Sequence, residues 1–165
     1  MYYREMSQEE VNAYISKLSH PSEDFKYFLR QYVLGSPWAR SRGEEDTKVW
    51  GKLKGDELEI AKNIIISELD IVQDVSYIHA IGYFRDPRAI PVLKRIIDNS
   101  PAVEIKLIAA KVLYDWVGYD DYLDMLEDAC RDPNVNLHDY LNISISEFIR
   151  GLSEDRREYF INLVK

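Results

Sequence analysis

Apolar residues recur along this chain with the period of an α-helix. Phe25, Phe28, Leu29, Tyr32 and Val33 share one helical face, because residues three and four apart lie one above the other. Leu58, Ala61, Ile64 and Ile65 repeat the spacing about 32 positions later, and Ile90, Leu93, Ile96 and Ile97 after about 32 more. Leu123, Leu126, Ala129 and Cys130 form a fourth copy at about the same interval, and Phe160, Leu163 and Val164 a weaker fifth. Each of these first helices is followed by a second, over about residues 37–54, 71–84, 101–117 and 135–150. No segment alternates apolar and polar residues over any length, so no strand is expected.

The punctuation agrees with the period. Ser36-Pro37, Asp86-Pro87, Ser100-Pro101 and Asp132-Pro133 read as helix starts or as turns just before them. A Ser or Asp side chain accepts from the free N–H groups of the first turn, and proline at the first position gives up an N–H that has no partner there. Gly55, Gly118 and Gly151 stand near the ends of three second helices, where glycine tolerates the left-handed closing conformation. Gly82 falls instead in the last turn of its helix. At the start, Ser7-Gln8-Glu9-Glu10 fits a capping box, and Val11, Ile15 and Leu18 form one apolar face beyond it.

A repeat of roughly 30–45 residues built from two helices predicts an all-α fold, a short right-handed α–α superhelix of about four helical hairpins plus capping helices. Each hairpin leaves an apolar face that a neighbouring hairpin covers. The expected organisation is a single domain: a cap helix over 1–21, repeats over 22–56, 57–86, 87–120 and 121–154, and a closing helix over 155–165.

The stretch Ile81-Gly82-Tyr83-Phe84-Arg85-Asp86-Pro87-Arg88-Ala89-Ile90-Pro91-Val92-Leu93 resembles the core of a bacterial HEAT repeat, close to the variety found in phycobilisome lyases. In that pattern a second helix ends in Leu-Gly-x-x, and Asp-Pro-x-Ala-Ile-Pro-x-Leu opens the next first helix; Ile81 stands at the leucine position. Ala109-Ala110-Lys111-Val112-Leu113 resembles the family's Ala-rich second helix. The match is specific over residues 71–117, and periodicity alone carries it over 24–70 and 118–150. Asp120-Asp121 and Ser153-Glu154-Asp155 occupy the Asp-Pro position without proline. The resemblance implies a HEAT-like solenoid and leaves the activity open. Family members include adaptors that hold partners in the groove lined by the second helices, bilin lyases, DNA glycosylases and immunity-type proteins. Fold analogy does not choose among them.

Composition narrows the choice. The 165 residues carry a formal charge of −8, which argues against nucleic acid as the partner, because duplex binding draws on neutralised phosphates. No apolar run approaches the roughly 18 residues that span a bilayer. Met1-Tyr2-Tyr3-Arg4-Glu5 lacks the layout of a signal peptide, and the single cysteine, Cys130, suits a reducing cytoplasm. Sequence analysis therefore predicts a cytoplasmic, non-catalytic protein-interaction or adaptor module, with an inhibitor or immunity role as a special case. The alternative is an enzyme of a HEAT-repeat family, a bilin lyase or a DNA glycosylase.

Two groups of residues are candidates for partner binding. Aligning the second helices places Trp50, Ile81 and Leu113 at one repeat position facing the core. Residues two before and two after then lie on the opposite side, about 200° round the helix. The earlier set is Lys48, His79 and Lys111, with Ser144 as a loose fourth; the later set is Lys52, Tyr83 and Asp115. Together they predict a small basic stripe suited to an acidic partner segment, with Tyr83 as a rigid contact. The plainer alternative is a set of charges that solvate exposed helix faces. The second group is Trp38, Arg40 and Arg42, an aromatic anchor beside two arginines; the alternative is a staple at a helix entry with the arginines paired to Glu44–Asp46.

No cofactor, metal or catalytic residue is expected. His20, His79 and His138 lie on different repeats with no partner at metal-ligand spacing. Cys130 reads as a small core residue. Asp120 or Asp121 reads as a helix cap, with Asp124 and Asp128 facing solvent. The four aspartates lack the glycine and closing glutamate of a calcium loop. No glycine-rich phosphate loop or Gly-x-Ser-x-Gly turn is present, and Asn142-Ile143-Ser144, a glycosylation-type triplet, lies on a predicted helix.

Overall fold

The computed structural model describes residues 7–34, 48–132 and 154–163. All regular structure among them is helical, and no strand occurs. In chain order the α-helices are α1 (Gln8–Ile15), α2 (Glu23–Phe28), α3 (Val49–Lys52), α4 (Gly55–Ile71), α5 (Val75–Phe84), α6 (Ile90–Asn99), α7 (Val103–Val117), α8 (Asp121–Arg131) and α9 (Glu154–Leu163). A π-turn over Leu29–Val33 prolongs α2, and a 3₁₀ turn over Pro87–Ala89 leads into α6. The chain divides into two compact units, residues 1–94 and 95–165.

Local chemistry sets the helix starts. Ser7 and Glu10 form the expected capping box: the Glu10 N–H donates to Ser7 Oγ at 3.2 Å, and the Ser7 N–H donates to Glu10 Oε2 at 2.8 Å. Ser22 caps α2 by accepting from the Phe25 N–H at 3.1 Å. The Ser22 N–H and hydroxyl both donate to the Glu57 carboxylate at 2.6 Å, which ties the start of α2 to the first turn of α4. Asp86 accepts from the Arg88 N–H at 3.0 Å with Pro87 at the first position, as the Asp-Pro pair predicts. Ser100-Pro101 is a turn ahead of α7, where Ser100 Oγ accepts from the Ala102 N–H at 3.4 Å.

Several boundaries differ from the sequence reading. The second helix expected from residue 71 begins at Val75, because Asp74 caps it by accepting from the Ser76 N–H at 2.9 Å. The preceding helix takes up the difference and runs to Ile71. Gly55, expected to end a helix, instead opens α4 with φ 55°, after Leu53 and Lys54 in extended conformations. Gly118 closes α7 as expected, with φ 72°. Arg85 closes α5 in the same left-handed region at φ 48°, with no glycine at that position. Asp120 stands at the cap position of α8 but makes no side-chain capping bond. The expected second helix over 135–150 lies outside the described residues, as do the side chains of Phe160, Leu163 and Val164.

Most of the periodic apolar positions are buried, while Leu58, Ile90, Leu123 and Cys130 are only partly so. Within residues 1–94, Phe25, Phe28, Leu29, Tyr32, Val33, Ala61, Ile64, Ile65 and Leu93 are all buried, as are Trp50 and Ile81. α4 packs on α5, α2 packs on α3 and α4, and α3 packs on α5. A chain of rings runs through this packing: Phe25–Phe28 at 5.8 Å, Phe28–Tyr32 at 5.7 Å, Tyr32–Trp50 at 4.9 Å and Trp50–Phe84 at 5.5 Å. Two buried polar bonds lock it. The Trp50 indole N–H donates to the Tyr32 hydroxyl at 3.1 Å, and the Tyr77 hydroxyl donates to the Tyr32 carbonyl at 2.6 Å. That carbonyl lies within the π-turn, which closes with the Leu34 N–H on the Leu29 carbonyl at 2.8 Å.

Within residues 95–165, α8 packs on α7 and on α9. Ile96, Leu107, Leu113, Tyr122, Leu126 and Ala129 are buried, and the Tyr114 and Tyr122 rings meet at 5.5 Å. Burial pushes the Tyr122 phenol well above its ordinary pKa.

Candidate functional site

Four of the predicted binding residues share one surface in the unit 1–94. Lys48 stands just before α3 and Lys52 ends it, four residues on, while His79 and Tyr83 stand four apart on α5, so each pair occupies one face. All four are exposed. The two faces adjoin, because α3 packs on α5 through Trp50 and Phe84. Beside that contact, the Tyr83 hydroxyl lies 3.1 Å from where a Cβ on Gly51 would stand. Glycine between the two lysines thus admits the phenol, while Tyr83 stays 57% exposed. Lys52 faces Asp24 of α2 at 3.7 Å, with both side chains about half exposed.

Lys111 and Asp115 belong to the other unit and pair with each other. Lys111 Nζ donates to Asp115 Oδ2 at 2.6 Å across one turn of α7. Sequence reasoning assigned them to separate sets, although their spacing of four brings them together. The pair cancels its own charge, so Lys111 adds little to the basic stripe that the sequence predicts. Trp38, Arg40 and Arg42 lie outside the described residues, as do Ser144 and His138.

The strongest electrostatic feature was not foreseen beyond its cap. Arg88 grips the Asp86 carboxylate through Nε at 2.8 Å and Nη2 at 2.6 Å, and reaches α4 at Asn63 (2.7 Å) and Glu59 (3.0 Å). Lys62 adds a contact to Glu59 at 2.8 Å and stands 3.8 Å from Asp86. The Asp86 side chain is only 9% exposed. Its bond to Arg88 lowers the carboxyl pKa from 3.8 to about 2, and the same pairing raises that of Arg88. The Lys62 bond lowers Glu59 likewise. A forked guanidinium holding a carboxylate in two places fixes geometry. Here it fastens the turn before α6 to the side of α4. Glu59 and Asn63 stand four apart on one helix face, but that spacing does not say which side chain they meet.

A smaller cluster links α8 and α9. The Tyr159 hydroxyl donates to Glu127, Arg131 donates to that hydroxyl at 3.1 Å, and Arg131 pairs with Glu127 at 2.5 Å. The bond to Glu127 raises the pKa of Tyr159. Cys130 is half-buried on α8, and its burial raises the thiol pKa, the opposite of what activates a nucleophile.

Among the described residues, no group of three or more His, Cys, Asp or Glu side chains is placed to hold a metal ion. Among the same residues, no helix is long and apolar enough to cross a membrane. No family model, curated protein or solved structure matches the chain.

Proposed function

We propose that this protein is a non-catalytic protein-binding module, and that its helices pair as the hairpins of a HEAT-type solenoid. The observation that carries the reading is the exposed face of Lys48, Lys52, His79 and Tyr83, set on two adjoining helices above a buried ring cluster. Such a face suits recognition. Its aromatic offers a broad contact surface with few rotatable bonds to order, and charged groups beside it set orientation and partner choice. Beneath it, the Trp50–Tyr32 bond and the ring stack supply a rigid support. A face built on rigid helices binds with less reorganisation than one built on loops.

The test is comparative capture. Wild-type protein and the Lys48→Glu/Lys52→Glu double variant are immobilised, and proteins retained from the native cell are quantified by mass spectrometry. Circular dichroism establishes that both are folded. The expected result is a defined partner retained by the wild type and lost by the variant. Identical retained sets would remove this face from the function.

A further inference from the structure

We infer that Arg85 is a partner-binding residue, and that its guanidinium receives a carboxylate carried on a segment of another protein. The inference rests on the binding-module reading above and adds a residue from outside the face already described.

The first observation is the backbone. Arg85 closes α5 at φ 48° and ψ 49°, where a Cβ crowds the following carbonyl oxygen. Gly118 closes α7 in the same region at φ 72°, about one period of the apolar pattern further along. Glycine adopts this conformation freely, so the same local requirement is met without strain at one helix end and with strain at the other. Among the described residues, Arg85 is the one non-glycine residue with a positive φ. Residues held in strained conformations cluster where a side chain is needed for function.

The second observation is that the fold makes little use of that side chain. Arg85 is exposed, and its Nε donates to the Gly82 carbonyl at a long 3.4 Å. Among the described residues no carboxylate pairs with it, and neither Nη group has a protein acceptor. Arg88, three residues on, is the contrast: its guanidinium holds Asp86, Glu59 and Asn63. The carboxylate that follows Arg85 in the chain is therefore already engaged. The turn itself lies well inside the described stretch 48–132.

The open end of the guanidinium sets the chemistry of the occupant. Two parallel N–H groups on a planar fork match the two oxygens of a carboxylate. Tyr83, two residues earlier and 57% exposed, offers ring surface at the same end of α5. The charge of −8 favours a protein segment over nucleic acid. A short segment meets only charges within about 8 Å, the screening length at physiological salt. A nucleic acid carries its regular charge onward past the acidic remainder of the chain, where it is repelled.

The experiment follows the arginine Nε–Hε signals of the ¹⁵N-labelled full chain by NMR while a hexaglutamate peptide is added at low salt. Wild type, Arg85→Lys and Arg85→Gly are compared, and the Arg85 signal is assigned by its loss in the variants. Thermal unfolding of all three controls for folding. In wild type the Arg85 signal is expected to shift saturably while the other arginine signals stay in place. Arg85→Lys keeps the charge but not the fork, and backbone amide shifts beside position 85 should show binding at least about threefold weaker. Arg85→Gly should lose saturable binding and unfold at the same temperature as wild type or higher. A lower unfolding temperature for Arg85→Gly overturns the inference, because the arginine then serves the fold. Equal, unsaturated shifts at every arginine, or no shift at Arg85, overturn it as well. Binding by Arg85→Lys as tight as wild type overturns the forked contact. A short single-stranded DNA bound more tightly than the peptide, through the same Arg85 signal, overturns it in favour of nucleic acid. The binding-module reading fails separately, when the Lys48→Glu/Lys52→Glu variant retains every natural partner.

Discussion

Trp50 donates its indole N–H to the Tyr32 hydroxyl at 3.1 Å, and both side chains are buried. The bond joins α3 to the π-turn after α2, beside the contact of the two rings at 4.9 Å. Removing the hydroxyl leaves a buried donor without its acceptor, which costs about 1–3 kcal/mol. Tyr32→Phe should lower stability by that amount in urea unfolding. Adding Trp50→Ala should cost less than the sum of the two single changes, because the partners are coupled. Strict additivity would show that the bond contributes nothing.

Asp86 gives the fold an acid-sensitive joint. Its pKa in the folded chain lies at about 2, below the ordinary 3.8, so the folded state releases this proton more readily than the unfolded state. The stabilisation is complete above the unfolded value and is lost as pH falls through the folded one. Asp86→Asn should keep the cap but weaken the hold of Arg88. At neutral pH the expected cost is about 1.5–3 kcal/mol, the range for hydrogen bonds to charged groups. The difference from wild type should shrink steadily below pH 3.8 and vanish below about 2. A difference constant across that range would assign the loss to something other than charge.

Arg85 occupies the left-handed region at φ 48°, where a side chain costs about 1 kcal/mol and glycine costs none. Its Nε reaches only the Gly82 carbonyl, at 3.4 Å. Arg85→Gly should therefore raise stability by up to about 0.6 kcal/mol, the strain released less the roughly 0.4–1 kcal/mol of added freedom of the unfolded glycine. Thermal unfolding measures this directly, and a fall in Tm would show that the arginine contributes more than its backbone costs.

Gly51 and Tyr83 approach closely enough that a methyl group on Gly51 would stand 3.1 Å from the phenol oxygen. The tyrosine is more than half exposed, so its free end can move aside. Alanine also suits a helix better than glycine by about 0.8–1 kcal/mol. Gly51→Ala should leave stability unchanged or raise it by up to about 1 kcal/mol, while weakening any ligand that contacts Tyr83. A loss above about 1 kcal/mol would mean that the phenol is fixed where it lies.

The helices and their buried faces are legible in the sequence, because burial demands apolar residues at every third or fourth position. Phe25, Phe28, Leu29, Tyr32, Val33, Ile64, Ile81, Leu93 and Leu113 all carried that mark and all are buried. So did the caps at Ser7 and Asp86, whose side chains act on backbone groups two or three residues away. The outward direction of Lys48, Lys52, His79 and Tyr83 followed from the same geometry.

Contacts between distant positions were the part that periodicity does not encode. Nothing in the spacing tells that Arg88 holds Asn63 and Glu59 of α4, that Tyr77 reaches the Tyr32 carbonyl, or that Asp24 stands beside Lys52. Left-handed closure at Arg85 was hidden too, because a glycine marks such a site only where the chain uses one. Sequence by itself determined which residues turn inward, since that depends on neighbours within one helical turn. Which charges meet was decided by the packing of one helix against another.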